Sequence, residues 1–255
     1  MTTTTDIIRY NAKIIKGCGW AEGMEFHGPG NPFLLKGSKG RGLRPSPSAR
    51  PCPASQKEHR ERAIRRANTM LRRKVKQLYG LANGDLYMLT LTYAENVIDY
   101  DRAISDIRNF FQRLRRHIGR SAGYIAVPER QKRGAWHWHI IIDVYLYHSV
   151  WAKLWGHGFI WVKKVRDVKH ASRYVKKYLA KAFEAEEGVP MGKHRYLVSK
   201  GLNWEEIYIA TDDHCGTWVY LGGNQEYHLV ALFSVPEEQF IWWEANKKGE
   251  GSSGV

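Results

Sequence analysis

Two kinds of hydrophobic spacing occur along the middle of this chain. Runs rich in β-branched and aromatic residues predict buried strands at residues 86–93, 122–129, 135–146 and 159–165. Apolar residues spaced three and four apart predict helices at residues 57–79, 100–119, 149–158 and 171–186. After the first helix the order is strand–helix–strand–strand–helix–strand–helix, which predicts an α+β domain. A short glycine-containing link between the second and third strands favours an antiparallel hairpin.

The two ends of the chain give weaker patterns. Residues 6–15 are compatible with a short strand, whereas residues 19–32 have the composition of a loop. Residues 36–56 are dense in Gly, Pro, Ser and Arg, which predicts a flexible basic linker. Further extended segments are predicted at residues 194–202, 205–210, 216–222 and 227–233. We therefore expect an N-terminal segment with linker (1–56), a main domain (57–204) and a β-rich extension (205–255).

The charge of the chain indicates its class of partner. The 255 residues carry a net charge of +15 and have a sequence pI of about 9.7. Lys and Arg side chains that contact phosphates release counterions, so a chain of this charge gains affinity for nucleic acid. We expect no membrane partner, because there is neither a lipidation motif nor an apolar run of about 20 residues. The basic face of the helix at 57–79 is either a solvated surface or a DNA-backbone contact, and the overall charge favours the contact.

The expected compartment follows from the N-terminus and the cysteines. The first residues lack the pattern of a signal peptide. Cys18, Cys52 and Cys215 are odd in number and far apart, which favours a reducing compartment and gives no support to a structural zinc module. We therefore expect a cytoplasmic protein.

The segment "GAWHWHIII" (residues 134–142) contains the first candidate chemistry. On a strand, alternate residues share a face, so His137 and His139 lie together and Trp136 and Trp138 face the other way. Two imidazoles on one face either bind one divalent cation or are core histidines satisfied by hydrogen bonds. Glu129 precedes this pair near the end of the previous strand, and a hairpin places it beside them. A carboxylate with two imidazoles leaves coordination positions open for a phosphate.

A second candidate lies on the helix at residues 171–186. It contains Tyr174, Lys177, Tyr178 and Lys181, so a tyrosine is twice followed three residues later by a lysine. Tyrosines four apart share a helical face, separated by about 6 Å along the axis. Such a pair is often core packing. A phenol with a pKa near ~10 becomes a useful nucleophile when a metal polarises the phosphate and a cation stabilises the charge.

Together these motifs resemble the HUH endonucleases, and more closely the rolling-circle replication initiators of plasmids and single-stranded DNA phages. The segment "YMLTLTY" resembles the first motif, "PERQKRGAWHWHIII" the second and "YVKKYLAK" the third. The segment "HRYLVSKGL" is similar to one that follows the third motif in such initiators. The resemblance covers about residues 86–203 and depends on the combination of motifs.

The resemblance implies a central antiparallel sheet flanked by helices and a metal-dependent enzyme that nicks and joins single-stranded DNA. It implies that Glu129, His137 and His139 bind Mg²⁺ or Mn²⁺. A tyrosine then forms a 5′-phosphotyrosine link and leaves a 3′-hydroxyl that primes synthesis. We expect Tyr178 to attack first and Tyr174 to be its partner. Lys177 is expected to contact phosphate, and Lys181 is a second candidate for that contact.

The implied partners are a single-stranded origin hairpin, a host helicase and a host polymerase in a bacterial or archaeal cytoplasm. The host helicase is expected because the chain contains no Walker A sequence. Two alternatives with the same chemistry are an HUH transposase and a relaxase, although the three-histidine cluster usual in relaxases is missing. A third alternative is a non-catalytic nucleic-acid-binding protein, which needs the basic helix and the aromatics but not the acidic, histidine and tyrosine motifs together.

Overall fold

The computed structural model describes residues 12–26, 53–182, 188–190, 192–209, 227–235 and 240–247. The chain divides into two compact units, one formed by residues 51–202 and the other by residues 1–50 with 203–255. In chain order the elements are β1 (Ala12–Gly17), β2 (Trp20–Phe26), α1 (Pro53–Leu81), β3 (Tyr87–Thr92), α2 (Tyr100–Ile118), β4 (Tyr124–Arg130), β5 (Trp136–Ile142), α3 (His148–Trp155), β6 (Ile160–Lys164), α4 (Val168–Ala182), β7 (Leu197–Val198), β8 (Glu205–Ile209), β9 (Tyr227–Val235) and β10 (Phe240–Lys247). Within the described ranges, no helix is both long and apolar enough to cross a membrane.

The unit of residues 51–202 is built on one antiparallel sheet with the strand order β6-β3-β5-β4-β7. Helices α2 and α3 lie on the face that carries Trp136, which packs edge-on against Tyr100 of α2. Helix α4 packs on β4 and β5 from the opposite face, and α1 packs on α4. This arrangement confirms the predicted α+β class, the sheet flanked by helices and the β4–β5 hairpin.

The middle strand β5 explains the unbroken apolar run that follows the histidines. Its last three residues, Ile140, Ile141 and Ile142, are all fully buried. They alternate between the two faces of the sheet, and helices cover both faces here. A strand covered on both faces has no solvent-facing positions, so its sequence does not alternate between apolar and polar residues.

Helix α2 begins and ends where its sequence provides caps. The Asp99 side chain accepts a hydrogen bond from the backbone N–H of Asp101, and Gly119 closes the helix with φ of 71°. Its buried residues form the stripe that the spacing predicts: Tyr100, Ala103, Ile104, Ile107, Phe110 and Leu114.

Helix α1 differs from its prediction in length and burial. It starts at Pro53, so residues 53–56, predicted as linker, form its first turn, and residues 36–52 lie outside the described residues. Leu71, Val75 and Leu78 are buried, whereas Ala63 and Met70 are exposed. The apolar spacing continues beyond the part of the helix that packs, so the N-terminal half of α1 presents its arginines to solvent.

The two chain ends supply the strands of the other unit, a five-stranded antiparallel sheet with the order β8-β1-β2-β10-β9. The loop predicted at residues 19–32 is therefore wrong for residues 20–26, which form β2. The ring of Trp243 on β10 occupies the space where a side chain at Gly23 would lie, within 2.1 Å of the Cβ position. The glycine that resembles a loop signal is thus required by a partner strand more than 200 residues away. That partner, β10, was not predicted.

The remaining extended segments gave mixed outcomes. Predicted strands at 205–210 and 227–233 are confirmed by β8 and β9. Of residues 194–202, only Leu197–Val198 forms a strand. The segment at 216–222 lies outside the described residues.

Candidate metal centre and tyrosine helix

Strand register brings the predicted acidic and imidazole side chains to one place. Glu129 of β4 lies directly opposite His137 of β5, and on the other side of β5 Thr92 and Thr90 lie opposite His137 and His139. Directly paired residues of antiparallel strands point to the same face. The hairpin therefore sets Glu129 beside the two histidines, as the sequence predicts.

The three side chains converge closely enough to share one cation. His137 Nε2 lies 2.5 Å and His139 Nε2 2.7 Å from the Oε2 atom of Glu129, and the two Nε2 atoms are 2.9 Å apart. Neighbouring ligands of an octahedral ion with bonds of about 2.1 Å are about 3.0 Å apart, so this triangle approximates one face of an octahedron. The group Glu129, His137 and His139 is thus a potential metal site with three coordination positions remaining.

The electrostatics of the triad favour the protonation states that a metal needs. Burial opposes ionisation of Glu129, but hydrogen bonds from His137, His139 and Lys181 outweigh it and hold the pKa of the carboxyl well below its usual range. Burial lowers the pKa of His139 to about 4. At neutral pH the carboxylate is therefore ionised and the His139 imidazole neutral, which are the forms that coordinate divalent cations.

Tyr174 contacts the side of His139 that faces away from the triad. Its hydroxyl lies 3.0 Å from His139 Nδ1 and 3.1 Å from Thr90 Oγ1, and it donates to the Leu89 carbonyl at 3.3 Å. Burial raises the pKa of the Tyr174 phenol well above its ordinary value. The hydroxyl is therefore held, protonated, among partners on the far side of the ring whose Nε2 joins the triad.

Tyr178 lies one helical turn further along α4 and is differently placed. Its ring stacks on His139 with an angle of 10° between the planes. Among the described residues, its hydroxyl has no hydrogen-bond partner. Burial and the nearby Glu129 raise the pKa of the Tyr178 phenol, whereas Lys181 opposes the shift. The Lys177 Nζ atom lies 5.3 Å from the centre of the Tyr178 ring.

Lys181 is closer to the acidic ligand than the sequence indicates. Its Nζ atom forms an ion pair with Oε1 of Glu129, the oxygen not shared with the histidines. About half of the Lys181 side chain, 47%, remains exposed. The structure therefore brings all seven predicted site residues into one cluster, with Lys177 at its outer edge.

A cavity of about 860 Å³ opens beside the triad. Glu129 and His137 lie on its wall with the cations of the β4–β5 turn, Arg130, Lys132 and Arg133. The "RQKRG" segment predicted these cations near the site. Sequence reasoning missed the contact of Thr90 with His139 and Tyr174, because only the pairing of β3 with β5 reveals it.

Residues 86–183, from β3 through α4, match the model of a family described as a replication-associated protein of the ORF2 type. This match supports a Rep-like replication initiator, is consistent with nuclease activity and implies interaction with nucleic acid. No curated protein matches the chain. A solved structure, the hypothetical protein ORF119 from Sulfolobus islandicus rod-shaped virus 1, is similar over 44% of this chain and 97% of that chain, with 16% identity and a TM-score of 0.34.

Proposed function

We propose that this protein initiates rolling-circle replication by nicking and rejoining single-stranded DNA at a specific site. The observation that carries the proposal is the contact of the Glu129–His137–His139 triangle with the ring of Tyr178. The family match over the same residues is independent support for a role in replication. A non-catalytic DNA-binding protein requires no such convergence of ligand atoms and phenol.

The proposed step is a transesterification at one phosphate. The Tyr178 oxygen attacks the phosphorus and the bond from phosphorus to the 3′ oxygen breaks. The phenol loses its proton, and the departing 3′ oxygen gains one to become a hydroxyl that primes synthesis. One phosphoester replaces another, so the 5′-phosphotyrosine keeps the energy that a later 3′-hydroxyl uses to rejoin the strand.

The chain's own residues favour that step in distinct ways. A divalent cation such as Mg²⁺ or Mn²⁺, held by Glu129, His137 and His139, would polarise the scissile phosphate. The positive charges of Lys177 and Lys181 stabilise the phenolate of Tyr178 and the charge on the phosphate oxygens. Lys181 also holds Oε1 of Glu129, which orients the carboxylate.

The two tyrosines divide the work in the arrangement described. Because Tyr174 Oη contacts His139 Nδ1, it fixes the imidazole so that Nε2 points into the triad. A ligating histidine usually donates its second ring N–H to an oriented acceptor, and Tyr174 supplies that acceptor. We therefore assign Tyr178 as the nucleophile and Tyr174 as a positioning residue, which revises its expected role as second nucleophile.

The test uses a pool of single-stranded hairpin oligonucleotides, Mn²⁺ and denaturing electrophoresis. We expect a protein–DNA adduct from the wild type and none from the Tyr174→Phe, Tyr178→Phe double variant or from His137→Ala. Tyr147→Phe, which changes an exposed tyrosine on α3's N-terminal side, is the matched control and keeps the adduct. An adduct from the double variant refutes the tyrosine assignment, and cleavage that persists in EDTA refutes the metal assignment.

A polymerase added to the same mixture separates the rival functions. An initiator leaves a 3′-hydroxyl that is extended while the protein stays attached to the 5′ end. A transposase or relaxase shares the nick but requires its own element ends or transfer origin. Binding of the pool without any adduct, in Mg²⁺ and in Mn²⁺, indicates a non-catalytic binding protein.

A further inference from the structure

Two large aromatic side chains lie exposed on the edge strand of the catalytic sheet. Phe159 is 66% exposed and Trp161 is 41% exposed. Helix α4 covers this face of the sheet over β4 and β5. Exposed aromatic rings are costly in water unless a partner covers them, so this part of the sheet needs an explanation.

Strand register places both rings on the same face as the proposed metal centre. Trp161 of β6 lies opposite Thr90 of β3, which in turn lies opposite His139. The backbone N–H of Thr92 donates to the Phe159 carbonyl at 2.9 Å, so Phe159 continues the row that contains His137. We call Phe159 and Trp161 the aromatic strip.

The strip is within reach of a strand held at the metal centre. Adjacent strands are about 4.8 Å apart, so β6 lies about 10 Å from β5. A stacked strand rises about 3.4 Å per nucleotide, so this distance corresponds to about three nucleotides at most. Bases next to the scissile phosphate therefore reach the strip without leaving the protein surface.

Gly158 fixes the position of the strip against β3. Its φ is 147°, and a side chain there would lie 2.4 Å from the Ala94 nitrogen and 2.5 Å from the Thr92 oxygen. Only glycine permits this approach, which brings Phe159 into line with Thr92.

Positive charges lie at both ends of the strip. Arg133 hydrogen-bonds the carbonyls of Tyr93 and Ala94, next to the Phe159 end. Lys163 follows Trp161 on the same face and is exposed. Arg166 and Arg173 extend this charge, since after burial they and Lys163 act together to lower the pKa of the His170 imidazole.

We propose that the aromatic strip is a stacking platform for bases that flank the scissile phosphate of a single-stranded nucleic acid. The proposal rests on the proposed function and names where its substrate lies. Every base has a face that stacks on an aromatic ring, and the flanking cations hold the phosphates. A second copy of the chain fits less well, because Lys163 and Lys164 on the edge strand β6 oppose the addition of another strand.

The experiment measures binding of a fluorescent oligothymidylate by anisotropy, with EDTA present so that no nicking occurs. Each lost stacking contact is expected to raise Kd roughly 5- to 150-fold, for Phe159→Ala and for Trp161→Ala. Trp161→Phe keeps most of the affinity because it keeps a ring, whereas Trp161→Leu loses it despite similar apolar character. Tyr147→Ala, an exposed aromatic outside the strip, leaves Kd unchanged.

The outcomes separate the platform from the nicking chemistry. Unchanged affinity in Trp161→Ala and Phe159→Ala overturns the platform, even where the wild type forms its adduct. Weakened affinity in these variants supports the platform, even where the wild type forms no adduct and the proposed chemistry fails. A change in sedimentation behaviour with unchanged DNA affinity assigns the strip to contacts between copies and also overturns the platform.

Discussion

Replacing Tyr174 by phenylalanine separates the two roles assigned to the α4 tyrosines. The change removes one hydroxyl and keeps the ring that packs edge-on against Tyr178. The lost hydroxyl contacts His139 Nδ1 at 3.0 Å, on the side away from the triad. We expect the His139 ring to lose its fixed orientation while the Tyr178 hydroxyl stays in place.

The size of the effect follows from the surroundings of His139. The residue is only 5% exposed, so water does not readily replace the lost partner. A buried polar atom that loses its partner costs about 1–3 kcal/mol. Thr90 Oγ1 remains 3.4 Å from His139 Nδ1 and recovers part of this cost. We therefore expect a loss of about 1–2 kcal/mol in metal binding, or about 5- to 30-fold in affinity.

The assay follows the rate of adduct formation as Mn²⁺ is raised. For Tyr174→Phe, the half-saturating Mn²⁺ concentration rises about 5- to 30-fold, and the rate at saturation stays close to that of the wild type. Tyr178→Phe forms no adduct at any Mn²⁺ concentration, because the attacking oxygen is absent. Tyr147→Phe is the matched control, with an unchanged Mn²⁺ dependence.

One pattern of results would refute this reasoning. If Tyr178→Phe still forms adduct and Tyr174→Phe forms none at saturating Mn²⁺, Tyr174 is the nucleophile. An unchanged Mn²⁺ dependence in Tyr174→Phe, with a failure only in the second strand transfer, would instead restore its expected role as second nucleophile.

Three further changes test other parts of the molecule. Mn²⁺ at 100 times its Kd stabilises the wild type by about 2.7 kcal/mol, or roughly 5–10 °C in Tm, and His137→Ala should lose this shift in a thermal melt; a retained shift places the metal elsewhere. Arg62→Ala with Arg66→Ala, one turn apart on the exposed half of α1, should lower the salt slope of single-strand binding by about 1.4, and an unchanged slope identifies a solvated face. Gly158→Ala should lower stability by at least about 1–3 kcal/mol because its methyl group meets β3 backbone, whereas Gly119→Ala, with nothing within 4 Å, should cost less; equal losses in denaturant unfolding would contradict the close approach.

Much of the fold of residues 51–202 could be predicted because its signals are local. The spacing of apolar residues along α2 and the caps at Asp99 and Gly119 are properties of neighbouring residues. The same is true of the shared face of His137 and His139, which follows from the pleat of one strand. A short hairpin then brings Glu129 to them, since few conformations connect two adjacent strands.

The pairing of distant segments could not be predicted from such signals. Strand β2 resembles a loop because Gly23 and its neighbours suit a partner ring, Trp243, that comes from the other end of the chain. The N-terminal half of α1 has apolar spacing that no described segment buries. Periodicity predicts which side of an element is apolar, but the partner that covers it is set by packing.

The sequence by itself determined the elements, the charge and the candidate ligands and phenols of this protein. Only the tertiary structure decided that β3 lies between β5 and β6, so that Thr90 has His139 on one side and Trp161 on the other. It alone separated Tyr174, held by hydrogen bonds, from Tyr178, stacked with its hydroxyl free of partners among the described residues. The physical reason is that strand order and helix docking are set by burial summed over many distant residues, whereas periodicity and spacing report only on neighbours along the chain.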